Sequence, residues 1–165
     1  MTAAHADVPL LEIDLGRLAG NWHAVRSRYA GAELGAVIKC NAYGLGLEGV
    51  VPALAAQGCR QYWVLDFEEA CRVRALASAA EIFVLDGLCG ASAQQFRDLR
   101  LTPVLNTLDE ILHAARGAPL TAAVALDTGL GRLGLRRTAG GARIGQPAHP
   151  CLGHPARQLQ CARRA

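Results

Sequence analysis

No apolar run in this chain approaches the roughly 18 residues of a membrane span, so nothing in it reads as a transmembrane helix. Its start, MTAAHADVP, has neither a basic segment nor an apolar one behind it. No secretory signal is therefore expected, and a cytoplasmic location follows. Aromatics are scarce, at 5%, and no basic stripe with interleaved aromatics appears, which argues against a nucleic-acid partner. The six cysteines (Cys40, Cys59, Cys71, Cys89, Cys151 and Cys161) form no CxxC pair and no Cys/His zinc spacing. Reduced, mostly buried thiols are expected, and no metal. No GxGxxG follows the first expected strand, so dinucleotide binding has little support. Acidic residues are absent from Arg136 onward.

What is present suits a folded core. Hydrophobic residues make up 52% and the mean hydropathy is +0.18, although much of that fraction is alanine. The net charge of +3 is mild. With 165 residues the chain has the length of one ordinary domain. It is shorter than the roughly 200 residues that a whole (β/α)8 barrel needs.

Short apolar runs alternate with helical patterns. Leu10–Asp14 reads as a short strand, and Asp14 as the N-cap of a helix over Leu15–Arg28. Leu15, Leu18, Trp22 and Val25 mark that helix's apolar face, with Trp22 as a core aromatic. A strand ending at Lys39 precedes a helix over Leu47–Gln57, which Gly58 ends. Tyr62–Leu65, Ile82–Leu85, Thr102–Asn106 and Leu120–Leu126 read as further strands. Helices over Phe67–Ala77, Ser92–Leu99 and Leu108–Ala115 separate them. Glu68 and Glu69 read as a solvated first turn rather than an acid pair. The alternation gives about five βα units with a parallel sheet, in a barrel or an open Rossmann-type arrangement.

From Arg136 the composition shifts to Arg, Gly, Pro, His and Cys, and an irregular, disordered tail is expected over 136–165. His149, Cys151, His154 and Cys161 match no standard metal spacing.

Two strings carry chemistry. In Ala36-Val37-Ile38-Lys39-Cys40-Asn41-Ala42-Tyr43-Gly44-Leu45-Gly46 an apolar β-branched run ends in one lysine, followed by a small-residue turn with a tyrosine and two glycines. By residue type, Lys39 is either a strand end snorkelling to solvent or a partly desolvated amine that attacks a carbonyl. In Leu126-Asp127-Thr128-Gly129-Leu130-Gly131-Arg132-Leu133-Gly134 a glycine-rich loop after a strand presents one arginine. Arg132 is either a surface side chain in a flexible turn or a planar fork for a carboxylate or phosphate.

The first string resembles the VxKxxAYGxG signature of the alanine racemase family, and the second is similar to its DTGMxRLG motif, with Leu130 in place of Met. The resemblance covers residues 10–135 and implies the fold class: α/β, a partial (β/α)8 (TIM-type) barrel. It also implies pyridoxal 5'-phosphate (PLP) as cofactor, alanine as substrate, a role in making D-alanine, and a homodimer for the full-length family. Lys39 would hold PLP covalently and act as one of two acid/base groups. Tyr43 would donate its hydroxyl to the PLP phosphate. Arg132 would contact the PLP phenolic oxygen and the substrate carboxylate. Many members carry a lysine where Ala125 stands here, and that lysine orients the arginine.

The resemblance divides the chain into an N-terminal barrel portion, 1–135, and the tail, 136–165. It implies a truncated or frameshifted copy with little activity of its own, and a marginal, aggregation-prone or partner-dependent fold. Two other readings stand beside it: a non-catalytic PLP-binding barrel protein, and a cofactor-free α/β interaction domain.

Overall fold

The computed structural model describes residues 9–29, 33–137, 144–145 and 162–164. Helix α1 spans Leu15–Arg28 and starts where Asp14 accepts the Arg17 amide at 3.0 Å, as an N-cap should. Strand β1 follows (Ala36–Val37), then a helical turn α2 (Lys39–Tyr43), helix α3 (Leu47–Ala56) and β2 (Gln61–Val64). The alternation continues with α4 (Phe67–Leu76), β3 (Glu81–Val84), α5 (Ala93–Asp98), β4 (Leu101–Leu105), α6 (Leu108–Ala115) and β5 (Ala123–Asp127). Three short strands close the described chain: β6 (Leu135–Arg137), β7 (Ile144–Gly145) and β8 (Ala162–Arg164).

Helix starts are set by side chains that satisfy the free amides of a first turn. Asp66 caps α4, Thr107 caps α6, and Ser92 forms a full capping box with Gln95 on α5.

Strands β1 to β6 are parallel and lie side by side in chain order. That order decides between the two arrangements the alternation allows. A doubly wound sheet reverses direction at a switch point, whereas a barrel adds each strand beside the last. The sheet here is the arc of a (β/α)8-type barrel. Strands β7 and β8 run antiparallel to β6 and β5. Among the described residues no helix is long and apolar enough to cross a membrane.

The two faces of the arc differ. Tyr62, Val64, Ile82, Val84 and Leu101 point to the helix side and pack with Leu47, Val50, Val51, Leu54, Ala70, Val73 and Phe96 in the main core. The alternate residues Trp63, Phe83, Leu85, Val104, Ala123 and Ala125 form a smaller cluster on the inner face. Register places Trp63 opposite Phe83, and their rings stack at 4.1 Å and 10°. The period-2 alternation thus sends one set of side chains to the helices and the other to the barrel interior.

Three expectations need correction. Leu10–Asp14 is not a strand: no described strand pairs with it, and Leu10 and Leu11 are 91% and 75% exposed. Val25 does not belong to the buried face of α1, since its side chain is 53% exposed. The first core strand does not reach Lys39. It stops at Val37, and the backbone changes hand three residues later, at Cys40.

Candidate active site

Cys40, Asn41 and Ala42 have φ/ψ near 54/51, 53/50 and 55/45, and Tyr43 has φ of 55. Four consecutive non-glycine residues are left-handed, at a cost of about 1–2 kcal/mol each. Hydrogen bonds hold the turn from inside: Ala42 N to Ile38 O at 2.8 Å and Gly44 N to Cys40 O at 3.0 Å. Gly44, with φ of 86, ends it in a conformation suited to a residue without Cβ.

Side chains hold the turn from outside. Glu69, 9% exposed, accepts the Asn41 amide through Oε1 at 2.7 Å and the Leu65 amide through Oε2 at 3.0 Å. Asn41 Oδ1 accepts from Leu47 N at 3.1 Å and from an Arg72 guanidinium nitrogen at 3.0 Å, and that same nitrogen meets Glu48 Oε1 at 2.6 Å. The Arg72 guanidinium holds the exposed Glu48 carboxyl below its usual range. Glu69 therefore corrects the reading of a solvated glutamate pair. Only Glu68 is exposed, because Glu69 sits one position further on the helix and faces the turn.

The consequence is a pair of side chains with contrasting surroundings. Lys39, at the first position of the turn, is buried at 6% exposure. Tyr43, at its last, is 61% exposed. Lys39 therefore buries most of its long side chain beside the end of a strand.

The second string forms the loop between β5 and β6. Asp127 organises it: Oδ1 accepts from Gly129 N at 3.0 Å and Gly131 N at 2.9 Å, and Oδ2 lies 3.3 Å from Arg136 Nε. These backbone donors, with Arg136 behind them, hold its carboxyl below the ordinary range. Gly134 returns the chain to the sheet so closely that a Cβ would lie 2.9 Å from Asp127 N. Arg132 sits in this loop, half-buried. Ala125 is 1% exposed against the inner-face cluster, so a methyl group occupies the place where the family resemblance sets a lysine.

Lys39 and Tyr43 thus share one turn, and Arg132 lies on the same rim, since each string follows the carboxyl end of a parallel strand. Sequence reasoning missed Glu69, Arg72 and the organising role of Asp127. It also passed over Asn106, 2% exposed at the end of β4. The Asn106 side-chain amide donates to Leu85 O at 3.0 Å and Val104 O at 2.9 Å, and its backbone amide donates to Glu110 at 2.6 Å. Burial pushes Glu110 above the usual carboxylate range. A signal existed for Asp127, whose string places an acid directly before a run of glycine amides. None existed for Glu69, whose partner in the turn, Asn41, is 28 positions away.

The cysteines also differ from expectation. Cys40 and Cys89 are exposed, Cys59 is buried and Cys71 lies between. Both exposed cysteines have positive φ, Cys40 at 54 and Cys89 at 45. Among the described residues no group of three ligating side chains could hold a metal ion. His149, Cys151, His154 and Cys161 lie outside the described residues.

Strands laid down one after another, with a buried amine at their carboxyl ends, place the chain among barrel proteins that carry their chemistry on that rim. Comparison with known proteins narrows the class. A family model described as alanine racemase, N-terminal domain, matches residues 13–149. The alanine racemase of Methylobacterium nodulans is 45% identical over 140 residues, which are 82% of this chain and 38% of that protein. Among solved structures, the alanine racemase from Bartonella henselae with covalently bound pyridoxal phosphate has a TM-score of 0.66 at 30% identity, covering 74% of this chain and 36% of that one. The biosynthetic alanine racemase from Pseudomonas aeruginosa has a TM-score of 0.63 at 34% identity, covering 74% and 35%. The chain belongs to the alanine racemase family. It spans 38% of the length of the Methylobacterium relative.

Proposed function

We propose that this chain carries the PLP-binding lysine portion, residues 1–135, of an alanine racemase. The supporting observation is Lys39, buried at 6% exposure at the first position of a left-handed turn that also carries Tyr43. A buried amine beside an exposed phenol fits a group with an aldehyde at one end and a phosphate at the other. PLP, when bound, supplies an electron sink that acidifies the Cα–H of an amino acid.

The chain's own residues do the rest. Lys39 Nζ would hold the cofactor covalently, and as a free amine would serve as the acid/base group on one face. The Tyr43 hydroxyl would donate to the phosphate. The Arg132 guanidinium would offer its planar fork to the alanine carboxylate and the phenolic oxygen. Racemisation needs a second acid/base group on the opposite face, and no described residue is assigned to it. The chain by itself is therefore expected to interconvert L- and D-alanine slowly. Pairing with a second copy, and action in the cytoplasm, belong to the same reading.

Adding PLP to the purified chain tests it. A new near-visible absorbance band, fixed by borohydride and located at Lys39 by peptide mass spectrometry, is expected, and Lys39→Ala should abolish it. Tyr43→Phe should weaken PLP binding about tenfold, the loss of one hydrogen bond to a charged group. Attachment spread over surface amines, with Lys39 unmodified, would overturn the reading.

A further inference from the structure

We propose that Glu69 is a positioning residue for Lys39 and Tyr43, acting through the backbone of the left-handed turn that joins them. The inference rests on the reading of Lys39 as the cofactor lysine.

The turn is held by a single buried carboxylate at its midpoint. Asn41 lies two residues from Lys39 and two from Tyr43, and its amide points to Glu69 Oε1 at 2.7 Å. The second oxygen, Oε2, takes the Leu65 amide at 3.0 Å, directly beyond the end of β2. One carboxylate therefore ties the rim ends of two neighbouring parallel strands together. Glu69 occupies the third position of α4, where a glutamate ordinarily reaches back to the capping residue's own amide. Here the side chain passes Asp66 and takes the amide before it, which leaves its other oxygen for Asn41. Asp66 returns the contact through Oδ1, which accepts Glu69 N at 2.9 Å.

The chemistry of the group is specific. Two amides converge on it, so both of its ends must accept. An ionised carboxylate accepts at both oxygens, whereas a glutamine presents an NH2 to one of the two donors. Without that acceptor the Asn41 amide would lose its hydrogen bond to the buried Glu69, and a run of four left-handed residues has a ready escape into ordinary backbone space. Either change swings Tyr43 relative to Lys39, because only the intervening three residues connect them. The Asn41 side chain is pinned as well, by Leu47 N and Arg72. The residue at the centre of the turn is thus fixed through both its backbone and its side chain.

The test uses the whole 165-residue chain, with PLP itself as probe and two readouts. One is the rate of borohydride-fixed attachment at Lys39. The other, without PLP, is amide hydrogen exchange in the peptide covering residues 40–46. Glu69→Gln, close in size to the glutamate, should slow attachment by about tenfold or more, the scale of an ångström-sized misplacement, and should speed exchange in that peptide. Arg72→Met, at a more exposed site, should act in the same direction by a smaller factor.

Adding Cys40→Gly to Glu69→Gln should recover part of the lost rate, since glycine accepts the left-handed backbone without the carboxylate's help. Val73→Ala, in the core of the same helix, should lower the melting temperature and leave the attachment rate of the folded protein unchanged. Attachment at the unsubstituted rate in Glu69→Gln, or equal slowing by Val73→Ala, would overturn the proposal. If the unsubstituted chain takes no PLP at Lys39, the functional reading fails instead. Unchanged exchange in residues 40–46 of Glu69→Gln would then still refute the holding role.

Discussion

Cys89 follows the end of β3 with its thiol 3.2 Å from Asp86 Oδ2. Partial desolvation of the sulfur, then the Asp86 carboxylate, push its pKa up to about 11. The residue as a whole is exposed, so access does not limit its chemistry, but the thiolate fraction does. Iodoacetamide at pH 8 should label Cys89 at least about tenfold more slowly than free cysteine. Asp86→Asn should speed it, with mass spectrometry following the Cys89 peptide. Residue identity was enough to single out Lys39, because its string is long and its neighbours are in sequence. It was not enough for Glu69. Glu68 and Glu69 are the same residue type, side by side, and only the direction in which α4 presents each decides that one is solvated and the other holds a turn 28 positions away.

Among elements, the β5–β6 loop is the one whose shape the local sequence determines most fully. Asp127 is followed by Gly129 and Gly131, and the structure closes the loop through those amides. Gly134 completes it with φ of 96, and a Cβ there would lie 2.9 Å from Asp127 N and 3.0 Å from Leu126 C. Both contacts are backbone, which cannot rotate away. Gly134→Ala should therefore cost about 2–4 kcal/mol in urea unfolding, from strain and overpacking together. Acid should loosen the same loop. The folded pKa of Asp127 lies below its ordinary 3.8, so its contribution is complete above that value and is lost as pH falls through the lowered one. Protection of residues 128–134 against hydrogen exchange, after correction for the intrinsic pH dependence of amide exchange, should fall below about pH 4, and Asp127→Asn should make that protection insensitive to acid. The α1 and α6 boundaries were equally legible, since Asp14 and Thr107 announce them. The end of β1 was not. Ile38 and Lys39 look like strand continuation, and nothing in Cys40, Asn41, Ala42 or Tyr43 declares four left-handed residues in a row.

At the scale of the molecule, alternation of strands and helices showed a parallel α/β sheet but left barrel and open sheet equally possible. The family resemblance pointed to the barrel, and pairing in chain order, a long-range fact, bears it out. The same arrangement exposes an edge. Among the described residues β1 pairs with β2 alone, and Val37 on that edge is 50% exposed. Register sets Val37 beside Trp63, whose ring stacks on Phe83, so an apolar row runs along the inner face to an open strand. Unpaired backbone groups next to such a row invite another chain to add a strand. The isolated 165-residue chain should therefore self-associate at tens of micromolar, within the range where open edges aggregate. Val37→Lys places a charge on that edge and should lower light scattering at equal concentration without altering circular dichroism. Val25→Lys, at a comparably exposed valine on α1 away from the sheet edge, should leave scattering unchanged. Equal relief by both substitutions would mean that net charge, not the edge of β1, governs association. A monomeric chain with a sharp, reversible melt would remove the edge as a source of instability altogether.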